Sequence, residues 1–217
     1  MTRTQRARAV CDRLEQFYPE AVCALHYEKP YELMIAARLS AQCTDARVNI
    51  VTETLFKKYP TLEAFANAKL EELERDIRPC GFFHTKAQSI IGMCRRLIEV
   101  YGGELPGTME ELLTLPGIGR KTANLLMGDI FGKPAVVTDT HCIRICGRLG
   151  LTKHKEPAKV EADLWKLLEP ERASDFCHRI VLFGREICRA RSPRCEGCPL
   201  QDLCLDFHDK FPKRLDK

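Results

Sequence analysis

The sequence predicts an all-α protein, and three observations predict it. Apolar residues recur at the 3.6-residue spacing of helices over most of the chain, period-two alternation is almost absent, and helix start and stop residues fall at ordinary helix lengths. About ten helices fit between these signals. The first sets Ala7, Val10, Leu14 and Phe17 on one face, and this period favours a folded basic helix over a transit segment for the arginine-rich start (Arg3, Arg6, Arg8), with both readings open to the sequence. The second opens on Pro30, which suits a first helical turn because its missing N–H has no partner there. The third runs from near Asp45 until Pro60 stops it. Another follows Phe82 and Phe83, turns Ala87, Ile90, Cys94, Leu97 and Tyr101 inward, and ends at Gly102 and Gly103. Thr108 and Glu111 have the spacing of a capping box. A break at Leu115 to Gly119 precedes a helix from about Arg120 to Phe131, which closes at Gly132, Lys133 and Pro134. Ala135 to Val137 is short and extended, Asp139 caps a helix ending near Gly150, and two more follow Pro157 and Ser174.

Composition narrows the function classes. With 45% hydrophobic residues in 217, the chain has enough apolar material for a real core, which excludes intrinsic disorder. No run approaches the roughly 18 apolar residues of a membrane span, and the N-terminus lacks the apolar stretch of a secretory signal, so an intracellular protein without membrane contact is expected. If the source is bacterial, that means cytoplasm and nucleoid. The net charge of +4 favours local rather than global attraction to an anion.

Twelve cysteines would suggest a disulfide scaffold in a secreted domain, but without an export signal they should be reduced. Eight are scattered and read as small buried hydrophobes. Cys188, Cys195, Cys198 and Cys204 fall within 17 residues, separated by six, two and five others, so that one loop can converge four thiolates on a metal centre. Spacing alone leaves the metal open between tetrahedral zinc and an iron–sulfur cluster.

Two further segments carry chemistry. In Leu115-Pro116-Gly117-Ile118-Gly119-Arg120-Lys121, two glycines permit close backbone approach, and the helix start beyond them offers N–H groups and a positive dipole end to an anion such as phosphate. An ordinary helical hairpin has the same glycines, but Arg120 and Lys121 directly after the turn tilt the balance toward nucleic acid. Eighteen residues past Lys121 stands Asp139, which can cap the helix after it. A lysine near a helix N-terminus and beside Arg120 should deprotonate more easily and so can act as a nucleophile, with a carboxylate to help steer the proton, although spacing alone favours a solvated surface charge.

These blocks resemble the endonuclease III group of helix-hairpin-helix DNA glycosylases. The likeness runs from about Tyr31 to Cys204 through LSAQCTDA (Leu39 to Ala46), GFFHTKA (Gly81 to Ala87), LPGIGRKTAN (Leu115 to Asn124), TDTH (Thr138 to His141) and the cysteine loop. The resemblance implies two helical domains with a central cleft. One would be continuous, residues 28–133, with six helices and the helix-hairpin-helix; the other would join 1–27 to 134–217, with the cluster loop at 188–204. It implies a bifunctional base-excision repair enzyme, acting as a monomer on double-stranded DNA with damaged or abasic sites. Oxidised pyrimidines would be removed and the abasic strand cut by β-elimination through a lysine Schiff base.

By position, the nucleophile matches Lys121, the catalytic aspartate Asp139, and the ligands of a 4Fe-4S cluster Cys188, Cys195, Cys198 and Cys204, which favours that cluster over zinc. Gln42 matches the side chain that fills the gap left by the extruded base, and Phe82 the wedge on the opposite strand, while Phe83 is expected to be core. Gly117, Gly119 and Arg120 would bind the DNA backbone with Arg189, Arg191 and Arg194, and Ser40, Asp45 and His141 would line the pocket. Arg38 departs from the aliphatic residue expected beside the LSAQ block, which leaves substrate range open. Cys43 and Cys142, beside Gln42 and His141, would make the site sensitive to oxidation. Two rivals share these blocks: an adenine-specific mismatch glycosylase, which lacks the lysine and needs a carboxylate absent from Met34 to Leu39, and a non-catalytic DNA-binding or iron–sulfur sensing protein, against which Lys121 and Asp139 argue together.

Overall fold

A computed structural model describes residues 1–20 and 22–210; the predicted domain segment 134–217 therefore ends partly outside the described residues. The described residues are helical without strands. The helices are α1 (Arg3–Phe17), α2 (Pro30–Leu39), α3 (Asp45–Lys58), α4 (Leu62–Ala66), α5 (Leu70–Ile77), α6 (Phe83–Tyr101), α7 (Met109–Leu112), α8 (Arg120–Asp129), α9 (Thr140–Arg148), α10 (Pro157–Trp165), α11 (Ala173–Glu186) and α12 (Leu205–Lys210). Three short 3-10 turns lie at Arg78–Cys80, Pro170–Arg172 and Gln201–Leu203. Their number exceeds expectation because α4, α7 and α12 are too short for a 3.6-residue period to be visible. The described helices are not long and apolar enough to cross a membrane.

The chain divides into two compact units, Cys23–Gly132 and Met1–Val22 together with the chain from Lys133 on. The first is built around α6. Its Ala87, Ile90, Met93, Cys94 and Leu97 are sealed from solvent and meet Leu33, Ile35 and Leu39 of α2, Phe65 of α4 and Ile77 of α5 in one apolar cluster. Each fully buried aliphatic side chain contributes roughly 1.5–3 kcal/mol, enough to fix these short helices that could not persist alone. Gly102, at φ +64°, ends α6 in the left-handed conformation that residues with a Cβ resist. Phe83 packs against this core, as expected.

The second unit gathers Ala7, Val10 and Leu14 of α1, Ile145 and Cys146 of α9, and Phe176, Ile180 and Phe183 of α11 around a separate core. Two local expectations need correction. Phe17 is 53% exposed: it sits in the last turn of α1, where its ring meets Tyr18 edge-on instead of the core. Thr108 makes only half a capping box, because it accepts from the Glu111 N–H while the Glu111 carboxylate bonds the Thr108 hydroxyl rather than the backbone. The basic N-terminal segment does form a helix, capped by Thr2.

Candidate active site and iron–sulfur loop

In the first unit, the turn between α7 and α8 is anchored from below and bare on top. Leu115 and Ile118 are buried, and the Ile118 N–H donates to the Leu115 carbonyl at 3.1 Å. The two glycines have different jobs. Gly117 lies at φ +79°, and a Cβ there would approach Ser89 Cβ to 2.8 Å and Arg38 Nε to 2.9 Å, so both backbone and space demand glycine. Gly119, the cap of α8, has an ordinary extended backbone (φ −104°), and a Cβ on it would meet nothing within 4 Å. The fold itself does not require glycine at that position. With no side chain capping α8, its first-turn amides face the same open side, and Arg120 and Lys121 are both exposed there.

The same unit carries Gln42 and Phe82, and both are exposed. Each has a left-handed backbone, φ +55° for Gln42 and +48° for Phe82, and a non-glycine residue there costs on the order of 1–2 kcal/mol. Neither side chain offsets that cost by burial, since both are exposed. Ser40 ends α2 and spends its hydroxyl on the Ala37 carbonyl at 2.9 Å, and half-buried Asp45 opens α3. Arg38, the departure in the LSAQ block, lies under Gly117 with its Nε buried and unpaired. Cys43 is half-buried and its thiol contacts that of Cys80, which burial pushes up to about 11.

In the second unit, Asp139 caps α9, accepting from the Cys142 N–H at 2.7 Å with one carboxylate oxygen. A carboxylate retains acceptor capacity on its other oxygen. His141 follows in the first turn, its Nδ1 at 3.2 Å from Arg144 Nη2. Gly184 lets α11 come this close, since a Cβ there would run into the His141 ring and Ile145. Cys142 is fully buried against Cys146 and Cys177, which fits its reading as a small buried hydrophobe and argues against the oxidation sensitivity expected beside His141.

Cys188, Cys195, Cys198 and Cys204 line one pocket, partly open to solvent, with Ile145, Leu149 and Phe183 as an apolar wall. Burial pushes the Cys198 thiol up to about 11, while the Leu200 backbone N–H bonded to it works the other way; Phe207 and Asp206 N–H groups serve Cys204 likewise. Thiols that protonate in isolation but already face N–H donors are suited to a metal cluster that takes them as thiolates. Arg148 donates to Cys188 Sγ at 3.2 Å, to Arg189 O at 2.9 Å and to Ala190 O at 3.2 Å, and Arg144 donates to Cys188 O at 3.0 Å. From α1, Arg13 reaches Pro199 O at 2.8 Å. Arg189, Arg191 and Arg194 project outward. Sequence reasoning missed Arg144 and Arg148. Their i,i+4 spacing on α9 shows a shared face, but not that the face holds the cysteine loop.

A hairpin with an open amide face, a cysteine loop and an all-helical fold define a class, and comparison with known proteins agrees. Residues 35–170 match the HhH-GPD superfamily of base excision DNA repair proteins, and residues 188–204 match the iron-sulfur binding domain of endonuclease III. The endonuclease III of Synechocystis sp. is 47% identical over 204 residues, covering 94% of this chain and 93% of its own. Two solved structures are each 43% identical with a TM-score of 0.92. One is a non-covalent endonuclease III–DNA complex, covering 98% of this chain and 100% of its own. The other is a trapped endonuclease III–DNA covalent intermediate, covering 97% and 100%. The chain belongs to the endonuclease III family. It is a base-excision repair enzyme, a DNA glycosylase and abasic-site lyase with a 4Fe-4S cluster, and the adenine-removing alternative is not favoured.

Proposed function

We propose that this enzyme removes oxidised pyrimidines from double-stranded DNA and cuts the resulting abasic strand, with Lys121 as nucleophile and Asp139 as its proton acceptor. The observation that carries the reading is the placement of Lys121. It is the second residue of α8, exposed, two residues past a glycine with nothing over it. A sugar phosphate seated on the α8 amides would bring its C1′ within reach of this side chain. The covalent intermediate trapped in the related protein supports amine attack here.

In this reading one unit supplies the amine and the other the carboxylate. DNA binds with Gln42 filling the place of the extruded base and Phe82 pressed into the opposite strand, while Gly117, Gly119 and Arg120 hold the backbone. Ser40, Asp45 and His141 line the pocket for the extruded base. The Lys121 amine attacks C1′, the C1′–N bond breaks with its electron pair leaving on the base, and Asp139 takes the amine proton, passes it to the departing base and stabilises positive charge developing on the sugar. The ring opens to a Schiff base, loss of the C2′ proton expels the 3′ phosphate, and water then releases Lys121. Cys188, Cys195, Cys198 and Cys204 hold the cluster, which when bound cross-links the loop that presents Arg189, Arg191 and Arg194 to phosphates. We place the enzyme in the cytoplasm with the genome, acting as a monomer.

Borohydride trapping on a duplex carrying one oxidised pyrimidine tests this directly. The wild type should form a covalent adduct, and Lys121→Ala should form none while losing base release by at least about 10³-fold. Strand scission lost with base release intact would break the assignment.

A further inference from the structure

Lys86 has no place in the chemistry above, yet it is among the most completely buried side chains of the molecule, 1% exposed. A lysine in such a position needs a reason, because burial disfavours its charged form and pulls its pKa below the usual value. Its ammonium donates to Leu39 O at 2.8 Å and to Cys80 O at 2.9 Å. Leu39 is the last residue of α2 and Cys80 the last of the 3-10 turn at Arg78–Cys80. Carbonyls at such ends lack intrahelical N–H partners and carry the negative end of the helix dipole, so one cation answers two of them.

The residues just beyond these two carbonyls give the arrangement its meaning. Three residues past Leu39 stands Gln42, and two past Cys80 stands Phe82, both exposed and both held in left-handed backbone. Cys43 and Cys80 touch through their thiols, a second tie between the same two loops. Lys86 itself lies in the first turns of α6, the helix that Phe82 precedes. The two loops therefore share one buried fastening point, although 40 residues of chain separate Gln42 from Phe82.

We propose that Lys86 is a positioning residue for strand invasion: by binding the Leu39 and Cys80 carbonyls together, it makes the Gln42 and Phe82 loops one two-pronged element that enters both DNA strands in concert. The proposal rests on the reading of Gln42 and Phe82 as the inserting side chains. Without the ammonium, the two strained turns relax separately, and extrusion of a base loses its paired support, while the amine at Lys121 is untouched.

The experiment compares two substrates on cluster-replete protein. Duplex DNA with one oxidised pyrimidine requires insertion; a single-stranded abasic oligonucleotide requires only the amine. Lys86→Met keeps the stem and removes the ammonium. It should lose base release on the duplex by about 30-fold or more, and retain borohydride trapping on the single strand within about twofold. A 2-aminopurine placed beside the lesion should lose its fluorescence rise on binding. If Lys86→Met does not fold, Lys86→Gln, whose amide still serves one carbonyl, should show the same split at smaller size. Unchanged duplex activity, an equal fall on both substrates, or failure of both variants to fold would overturn the proposal. Gln42→Ala and Phe82→Ala run alongside as a separate check. If these leave duplex release intact, the insertion reading fails whatever Lys86 does.

Discussion

The α7–α8 hairpin and the cysteine loop are both irregular segments that serve DNA repair, but they reach their shapes by opposite routes. The hairpin is complete as the chain folds: Leu115 and Ile118 anchor it, Gly117 supplies the backbone that no other residue adopts cheaply, and the helix start does the rest. Most of the cysteine loop, from Cys188 to Leu200, lies outside regular helix. It borrows its shape from Arg13, Arg144 and Arg148 on two neighbouring helices, and its four thiols surround a cavity rather than one another's apolar surface. The difference teaches that one region carries its order in its own backbone, whereas the other takes it from side chains of neighbouring helices and, in the proposed reading, from a ligand.

Removing the ligand should therefore separate the two. Cys195→Ser should abolish the iron absorbance and open residues 188–204 to hydrogen exchange and proteolysis, at a cost of several kcal/mol, on the order of what structural metals contribute. Exchange at the hairpin amides of 115–122 should stay within about threefold of wild type. A hairpin that melts with the cluster would erase the distinction.

The two glycines sharpen the comparison from the hairpin's side. Gly117→Ala meets both a positive φ and a 2.8 Å approach to Ser89, and should lower stability by about 2–4 kcal/mol in urea unfolding. Gly119→Ala has space and an ordinary backbone, so its stability should stay within about 0.5 kcal/mol of wild type. Its DNA affinity, read by fluorescence anisotropy, should nonetheless fall about tenfold or more, because in the proposed reading the methyl group stands where the backbone of DNA comes. Equal stability losses at the two positions would show that the open face over Gly119 is not what selects glycine.

These contrasts also mark how far the sequence could be read. The fold class followed from helical period, and Asp139 as a helix cap followed from residue type next to a turn, because both are local rules. Gly117 and Gly119 look alike in the sequence and differ only by their three-dimensional neighbours. Lys86 reads as one more polar position on a helix, since its meaning lies in two carbonyls 6 and 47 residues away. Phe17 fits its helical stripe and is exposed all the same, because a stripe does not say where the partner surface ends. Arg148 falls in the same class as Lys86: its target is a loop some 40 residues further on.

The smallest effect concerns the cysteines outside the cluster, where the same residue type obeys the opposite logic. Cys94 in the core of the first unit and Cys11 in that of the second are both pushed up to about 12, above all by burial. The unfolded thiol ionises near pH 9.0, whereas the folded one keeps its proton to about 12, so between these values the native state holds more protons than the unfolded state. The thiol's full contribution is present below pH 9 and drains away as the pH rises toward 12, at most about 1.4 kcal/mol per pH unit for each thiol. Urea unfolding at pH 8, 9 and 10 should show this decline, and Cys94→Ala should make it shallower in the first unit at the expense of a small cavity. A Cys94→Ala slope equal to that of wild type would mean that Cys94 already ionises in the fold. Core thiols are stable as neutral hydrophobes, and the four loop thiols, in the proposed reading, serve once a metal has taken their protons; the position of each in the fold, not its identity in the sequence, decides between the two.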